Sequence, residues 1–305
     1  GRLQTYANFQ DWCHKPTRPP LHLDYQYQCT GNLIYNSTFV TQLSIELYLE
    51  NQKIAKIYFS PSSTTRKIVD EIASKFEGTQ QEYDLLNVAG GNSPKEFDDD
   101  TLVIVGMPIF AGRLPKTAST KLMNFKGENI PAIAVVNYGN INIGDALIEL
   151  NDILKENGFT IVGTGATVSQ HSIVTDVAAG RPDEKDLEKL NEFVEKCREK
   201  LDSEEFEDIE VPGNKPYCEY KKVPLAPICD ESLCTYCYEC VSSCPEEVIP
   251  DMDPGQTDAD LCSACTACIY TCPEDARYFT GDLFEGMKER FLTNFNQRKE
   301  SEFYL

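Results

Sequence analysis

The chain has 305 residues, of which 41% are hydrophobic and 25% charged, a composition typical of a globular protein with room for two domains. Acidic residues outnumber basic ones 49 to 28, and the net charge of −21 disfavours binding to nucleic acid or to anionic membranes. The longest apolar runs, such as LVIVGMPIFAG at 102–112, are shorter than the roughly 20 residues of a membrane-spanning helix.

Residues 1–52 are predicted to be an N-terminal extension, and their sequence suggests no role. The first 20 residues lack the apolar core of a secretory signal and lack an initiator Met. From this we expect the sequence to be a fragment or a processed form.

Between residues 53 and 205 the hydrophobic pattern predicts strands that alternate with helices. Strands are predicted at 53–61, 101–108, 131–139 and 159–169, and helices around 68–76, 146–158 and 183–201. This alternation favours an α/β fold with an open, doubly wound parallel sheet. In such sheets ligands bind beyond the carboxyl ends of the strands.

Three loops leave carboxyl ends of the predicted strands, at 60–65, 106–113 and 137–142. The first carries hydroxyl side chains before a helix, where free N–H groups favour a phosphate, although such residues are also ordinary helix caps. The other two offer glycines for close backbone approach and aromatic rings, which could equally belong to the core. The candidate cofactor-binding residues are Ser60, Ser62, Ser63, Thr64, Thr65, Pro108, Phe110, Gly112, Tyr138, Gly139 and Asn140.

Three prolines between residues 206 and 225, with a fourth at Pro227, predict an extended connector over 206–225. At the other end of the chain, residues 281–305 form a tail with one apolar helical stripe, predicted to pack against a neighbouring domain. The stripe consists of Leu283, Phe284, Met287, Phe291 and Phe295.

Eight of the 13 cysteines lie within 39 residues, in two runs that repeat at an interval of 28 residues. Three cysteines with two residues between neighbours let one loop cover three corners of an iron–sulfur cube. A more distant thiol supplies the ligand for the fourth corner. Zinc is the alternative, since paired C-x₂-C units also form tetrahedral sites. Either metal indicates a reducing compartment, cytoplasmic or another oxygen-poor one. The candidate ligands are Cys234, Cys237, Cys240, Cys244, Cys262, Cys265, Cys268 and Cys272.

Residues 226–280 resemble the dicluster ferredoxins, a small α+β fold, and all eight ligand positions match. The resemblance implies two [4Fe–4S] clusters with crossed ligands, because the fourth cysteine of each run then binds the other cluster. One cluster would take Cys234, Cys237, Cys240 and Cys272, and the other Cys262, Cys265, Cys268 and Cys244. Tyr236 and Tyr238 stand where ferredoxins often have glycine.

Residues 53–205 resemble flavodoxin, and the segments GMPIFAGRLP and VVNYGNINIGDALIELNDILKENGF, followed by the cysteine block, resemble the flavodoxin–ferredoxin fusion proteins of anaerobes. The resemblance implies that the three loops hold flavin mononucleotide, FMN. Flavodoxin-like phosphate loops usually contain a glycine where this chain has Ser63. A side chain there is expected to crowd the phosphate or to force an unfavourable backbone angle.

The sequence therefore predicts electron transfer between two [4Fe–4S] clusters and FMN, without an evident acid–base or nucleophilic group of residues, so whether the protein is an enzyme stays open. Eleven acidic residues and one base between 226 and 280 predict redox partners with a basic surface. The alternatives are a ferredoxin-type carrier or docking module whose flavodoxin-like domain binds no flavin, and a zinc-stabilised interaction protein.

Overall fold

The computed structural model describes residues 52–87, 95–204 and 206–305, so nearly all of the predicted N-terminal extension lies outside the described residues. The described strands are β1 (Lys53–Tyr58), β2 (Thr79–Asp84), β3 (Lys95–Glu96), β4 (Thr101–Pro108), β5 (Phe125–Lys126), β6 (Ile130–Tyr138), β7 (Phe159–Val168), β8 (Ile228–Cys229), β9 (Arg277–Tyr278) and β10 (Glu302–Tyr304). The described helices are α1 (Thr64–Ala73), α2 (Lys116–Leu122), α3 (Ala146–Glu156), α4 (Glu184–Ser203), α5 (Glu239–Ser242), α6 (Ala267–Tyr270) and α7 (Asp282–Phe295).

Six of these strands form the main sheet, in the order β2-β1-β4-β6-β7-β10. The first five are parallel, and β10 pairs antiparallel with β7 at the edge. Numbered among themselves, the parallel strands follow the order 2-1-3-4-5, which defines the flavodoxin-like type of doubly wound sheet. The predicted fold class is confirmed.

Both faces of the sheet are buried. Side chains alternate between the two faces along each central strand. In β6, Ala134 and Val136 join a core that also contains apolar residues of α2 and α3. The intervening residues Ile133 and Val135 join the core on the other face, beneath α1 and α4. The helices therefore cover the sheet on both sides, as the near-continuous apolar runs of β4 and β6 predict.

The elements that the sequence pattern missed lie at the edges of the sheet. Strand β2 reads TQQEYD, and none of its six residues is buried, so it carries no apolar signal. Strand β10 has only three residues and is placed by tertiary packing: the ring of Phe303 stacks on Phe193 with centroids 4.5 Å apart. Gly165 makes room for this ring, since a Cβ atom there would lie 2.4 Å from Phe303.

Residues 226–280 fold as two copies of one loop-and-helix unit, related by the same 28-residue interval as the cysteines. Helices α5 and α6 occupy equivalent positions, and β8 pairs antiparallel with β9. The left-handed backbone residues also recur in pairs, with φ of 56° and 55°, 64° and 75°, and 54° and 50° at Tyr236 and Ala264, Tyr238 and Thr266, and Glu247 and Asp275. The backbone thus repeats with the sequence, and the expected glycine positions are left-handed.

The connector predicted at 206–225 lies against the flavodoxin-like part. The buried carboxylate of Asp145 accepts hydrogen bonds from the main-chain N–H groups of Asn214 (2.9 Å) and Cys218 (2.6 Å). These bonds hold the pKa of Asp145 below its usual value, the contribution of the Cys218 N–H being the largest. Lys215 pairs with Asp152 of α3 at 2.8 Å. The connector is therefore anchored rather than free.

The tail packs on its neighbours, as its apolar stripe predicts. Phe284 and Met287 of α7 lie against the buried side chains of Leu225 and Phe279. Beyond α7 the chain returns to the main sheet as β10. Within the described residues, no helix combines the length and the apolar character that crossing a bilayer requires.

We expect Phe303→Ala to free the tail from β7, because the ring loses its stack on Phe193. The local opening free energy should fall by about 2 kcal/mol, less than the ~3–5 of a fully buried phenylalanine, since Phe303 is partly exposed. Hydrogen exchange of the β7 amides measures the change. Glu302→Ala, an exposed change on the same strand, is the control, and equal exchange in both variants would contradict this account.

Candidate metal centres and cofactor loops

A first cavity, of about 330 Å³ including some open solvent, is lined by cysteines of both runs. Cys234, Cys237 and Cys240 come from the first run, and Cys272 comes from the end of the second. We call it cavity 1. The loop that carries the first three turns around the cavity through the left-handed residues Tyr236 and Tyr238.

A second cavity of about 320 Å³, cavity 2, has the complementary lining. Cys262, Cys265 and Cys268 come from the second run, and Cys244 comes from the end of the first. The structure therefore brings all eight predicted ligands together in two groups of four, and each run gives three thiols to one cavity and one to the other.

The donor set of both cavities fits an iron–sulfur cluster. Each is lined by four candidate ligand thiols, and main-chain N–H groups point at ligand sulfurs: that of Ala276 donates to Cys272 at 3.3 Å, and that of Ala264 to Cys262 at 3.4 Å. Such bonds are the ordinary support of cluster thiolates. Among the described residues, no three His, Cys, Asp or Glu side chains converge on a point where one metal ion would bind.

The two cavities differ in how far solvent reaches their cysteines. In cavity 1, Cys237 is exposed and Cys234 and Cys272 are half-buried, whereas all four cysteines of cavity 2 are buried. Burial raises the pKa of Cys265 and of Cys268 to about 12. The cysteines of cavity 1 are thus more exposed to solvent than those of cavity 2.

Cys229 also lines cavity 1. Burial, and secondly a hydrogen bond with Cys234, raise its pKa to about 11. It is half-buried rather than part of the core.

The first loop closes a turn before helix α1. The N–H of Ser63 donates to the Ser60 carbonyl at 3.2 Å, and the Ser60 hydroxyl accepts from the N–H of Arg66 at 2.9 Å. In the described part of the chain, the N–H groups of Thr64 and Thr65 at the start of α1 have no hydrogen-bond partner. These free donors, with the Ser62 hydroxyl beside them, fit an anion such as the phosphate of FMN.

Ser63 adopts the backbone conformation that the missing glycine would favour. Its φ is 62° and its ψ is −1°, in the left-handed region, and its side chain makes no capping hydrogen bond. A residue with a Cβ atom pays about 1–2 kcal/mol there. The unfavourable backbone angle expected of a serine at this position is therefore present.

The second loop is a tight turn after β4, which ends at Pro108. Phe110 and Arg113 exchange main-chain hydrogen bonds of 2.9 and 3.1 Å, and Gly112 between them has a φ of 86°. The Phe110 ring is half-buried and meets Phe59 edge to face at 6.4 Å. It therefore retains an accessible part at this edge of the sheet.

Arg113 has a structural task within the described chain. Its guanidinium pairs with both carboxylate oxygens of Glu149, at 2.8 and 3.0 Å, and donates to the Cys218 carbonyl at 2.6 Å. It also lies over the Tyr217 ring at 4.7 Å. Arg113 thus ties the second loop to α3 and to the connector.

The third loop differs most from the sequence prediction. Tyr138 continues the alternation of β6 and is 5% exposed within the core, where burial raises its pKa to about 12. Asn140 is 2% exposed, and both hydrogens of its amide are donated to the tail, to the carbonyls of Phe295 (2.7 Å) and Gln297 (2.8 Å). Both side chains are buried, and their contacts with a flavin remain a prediction.

Gly139, between these residues, is required by packing. A Cβ atom there would lie 2.6–2.7 Å from atoms of His171. The His171 ring is half-buried, accepts main-chain N–H bonds at Nδ1, and has a pKa lowered to about 4 by desolvation.

Asn137, which sequence reasoning missed, connects the loops. Its amide nitrogen lies 3.3 Å from the Thr64 hydroxyl and its amide oxygen accepts from the Ser169 hydroxyl at 2.6 Å. Its main-chain carbonyl accepts from the N–H of Ile109 at 3.0 Å. A lone amide at the end of the apolar run PAIAVV was the available signal.

Cavity 2 contacts the flavodoxin-like part directly. Glu246, in its lining, accepts hydrogen bonds from the hydroxyl of Thr117 at 2.8 and 2.9 Å. Thr117 belongs to α2, the helix that follows the second loop. For cavity 1, the structure gives no such contact between its lining and the described residues of 52–204.

The sequence family described as "4Fe-4S binding domain" matches residues 230–249, which contain the first cysteine run. No curated protein matches the chain.

Several solved structures resemble the first half of the chain. A flavodoxin from the domain Archaea has 16% identity and a TM-score of 0.36, with 50% of this chain and 99% of that chain covered. A Fusobacterium nucleatum flavodoxin bound to flavin mononucleotide has 15% identity and a TM-score of 0.34, with 49% and 98% covered. Rubredoxin oxygen:oxidoreductase from the anaerobe Desulfovibrio gigas has 17% identity and a TM-score of 0.33, with 54% of this chain and 40% of that chain covered.

The chain thus joins a flavodoxin-like sheet, established by its strand order, to a ferredoxin-type 4Fe–4S domain. Iron–sulfur electron transfer follows from the second part.

We expect Ser63→Gly to stabilise the protein by about 0.5–1 kcal/mol, because relief of the left-handed strain outweighs the added freedom of the unfolded chain. The midpoint of urea unfolding measures this. Ser62→Gly is the matched control, since Ser62 lacks a positive φ and glycine there only adds unfolded-state entropy. Stabilisation by both variants, or by neither, would contradict the assignment of strain to Ser63.

Proposed function

We propose that this protein transfers electrons between two [4Fe–4S] clusters, held in cavities 1 and 2, and FMN bound at the three loops of the flavodoxin-like sheet. Clusters exchange single electrons, and FMN when bound accepts or releases one or two. The pairing would let the protein connect one-electron and two-electron partners. The residues themselves hold, orient and tune these groups.

The observation that carries the proposal is the crossed sharing of cysteines between the two cavities. Each run supplies three thiols to one cavity and its last thiol to the other. A chain fold that returns Cys244 and Cys272 to opposite cavities matches the ligand pattern of two-cluster ferredoxins. The repeated left-handed pairs give both cavities the same loop geometry.

The contact between Glu246 and Thr117 supports an order for the electron path. Cavity 2 adjoins α2, which follows the second flavin loop, whereas the exposed cysteine of cavity 1 faces solvent. We therefore place cavity 2 between the flavin loops and cavity 1. Electrons would enter or leave the protein at cavity 1.

The first loop fits the phosphate end of FMN. The unpartnered N–H groups of Thr64 and Thr65 and the hydroxyl of Ser62 would bind it, and Asn137 holds the Thr64 hydroxyl in place. Phe110 would contact the ring system with its accessible face. These residues bind and orient the flavin, and no proton transfer by them is required.

The surface around cavity 1 suits a basic redox partner. Residues 226–280 have eleven acidic residues, and their one base, Arg277, is 2% exposed and so adds no positive charge to the surface. Exposed rings of Tyr236 and Tyr238 stand at the mouth of the cavity. Charge complementarity would steer a partner with a basic rim, and binding to nucleic acid or to a membrane is not part of the proposal.

The crossed ligands can be tested by paired substitutions. Cys234→Ala with Cys272→Ala removes two ligands of cavity 1, so about four of eight irons should remain. Cys262→Ala with Cys272→Ala removes one ligand from each cavity and should deplete both clusters. Iron and acid-labile sulfide are measured after anaerobic purification, with circular dichroism to show that the main sheet folds. The opposite ranking would mean that each run binds its own cluster.

Flavin binding can be tested by quenching of FMN fluorescence. Ser62→Ala should weaken FMN binding about tenfold, since a hydrogen bond to a charged group contributes about 1.5–3 kcal/mol. Ser74→Ala is the control, because that hydroxyl bonds to the Glu71 carbonyl at the opposite end of α1. Equal affinities of both variants and the unmodified protein would exclude the first loop as the phosphate site.

A second candidate function is a ferredoxin-type carrier whose flavodoxin-like part binds no flavin. The strained Ser63 and the burial of Tyr138 and Asn140 favour it. The outcome that supports it is a protein with iron and sulfide that binds no FMN even when the flavin is in excess.

A further inference from the structure

Arg277 is a fully buried charged residue in strand β9, with 2% of its surface exposed. Nη2 donates to the Gln256 carbonyl at 3.0 Å and to the Thr257 hydroxyl at 2.8 Å, and Nη1 lies 3.4 Å from the Pro254 carbonyl. All of these acceptors are neutral. Within the described residues, no carboxylate lies within ion-pair distance of this guanidinium.

The remaining donor of Arg277 is unsatisfied. Nε is buried and has no hydrogen-bond partner in the described structure. The residue lines cavity 1 together with Cys240 and Cys272. A buried charge without a counter-charge costs several kcal/mol, so an anion in the cavity beside it would account for its presence.

The 28-residue repeat has a cation at this position in only one of its two units. The position equivalent to Arg277 in the first unit is Ile249, which is 4% exposed and lines cavity 2. Each cavity therefore has four candidate ligand thiols and the same left-handed loop geometry, but at this position cavity 1 has a cation and cavity 2 has an apolar side chain.

We propose that Arg277 makes the cluster of cavity 1 easier to reduce than the cluster of cavity 2, so that the first electron taken up by the two clusters rests in cavity 1. This rests on the proposed function, in which both cavities hold [4Fe–4S] clusters. Reduction adds one electron from a low-potential one-electron donor, with no bond made or broken and no proton taken up. The guanidinium stabilises the added negative charge.

Coulomb attraction carries the effect. A positive charge close to the cluster, in a side chain that is itself 2% exposed, favours the reduced state. The greater exposure of cavity 1 adds to the difference. Arg277 does not line cavity 2, so we expect a smaller effect on that cluster.

The test is a redox titration of the anaerobically purified full chain, followed by electron paramagnetic resonance. Arg277→Ile copies the residue of the other unit, and Arg277→Gln keeps a donor but removes the charge. Both should lower the upper midpoint potential by at least a tenfold change in the one-electron equilibrium, about 59 mV, and narrow the gap between the two steps. Arg277→Lys, which retains the charge, should leave most of the gap.

Hyperfine-shifted NMR signals of the cysteine β-protons assign each reduction step to a cavity, since Cys240 lines cavity 1 and Cys268 lines cavity 2. If Arg277→Gln binds about eight irons per chain and both midpoint potentials are unchanged, the proposed role of Arg277 is wrong while the proposed function stands. Equal shifts of both clusters would also overturn the role of Arg277. An unmodified protein without iron would instead overturn the proposed function, and this inference with it. If Arg277→Ile assembles poorly, Arg277→Gln and Arg277→Lys decide.

Discussion

The second half of the chain depends on one constraint: Cys244 and Cys272 each line the cavity of the other cysteine run. Residues 226–280 have little regular structure, with two four-residue helices and a two-residue strand pair. Their apolar core consists largely of ligand cysteines together with Val248 and Ile249. Clusters bound by crossed ligands would join the two units, so metal binding and folding would be coupled.

The first half depends on a different kind of order, that of a sheet buried on both faces. Parallel strands bring three loops to one edge, and Asn137 joins them through its side chain and its carbonyl. The connector and the tail then fix the second half to this edge, through Asp145 and Asn140. Of these two residues, Asn140 lies in the third loop, among the proposed flavin contacts.

Much of this could be predicted from the sequence, because the signals were periodic or repeated. The apolar runs of β4 and β6 indicate strands that are buried on both faces. The cysteine spacing indicates two runs of four candidate metal ligands. Tyr138 and Asn140 could not be placed, since the tail that occupies Asn140 lies more than 150 residues away along the chain. Likewise, the burial of Arg277 depends on carbonyls of a distant loop. Ser63 shows the reverse case, in which a missing glycine correctly indicated a strained backbone.

The central claim is that one chain holds two [4Fe–4S] clusters and one FMN. Its most direct test is to purify the protein without oxygen, supply FMN, and measure iron, zinc, acid-labile sulfide and bound flavin per chain. The account predicts about eight irons, about eight sulfides and one flavin. Zinc without sulfide would contradict the iron–sulfur assignment, and iron and sulfide without flavin would contradict the coupling of the two halves.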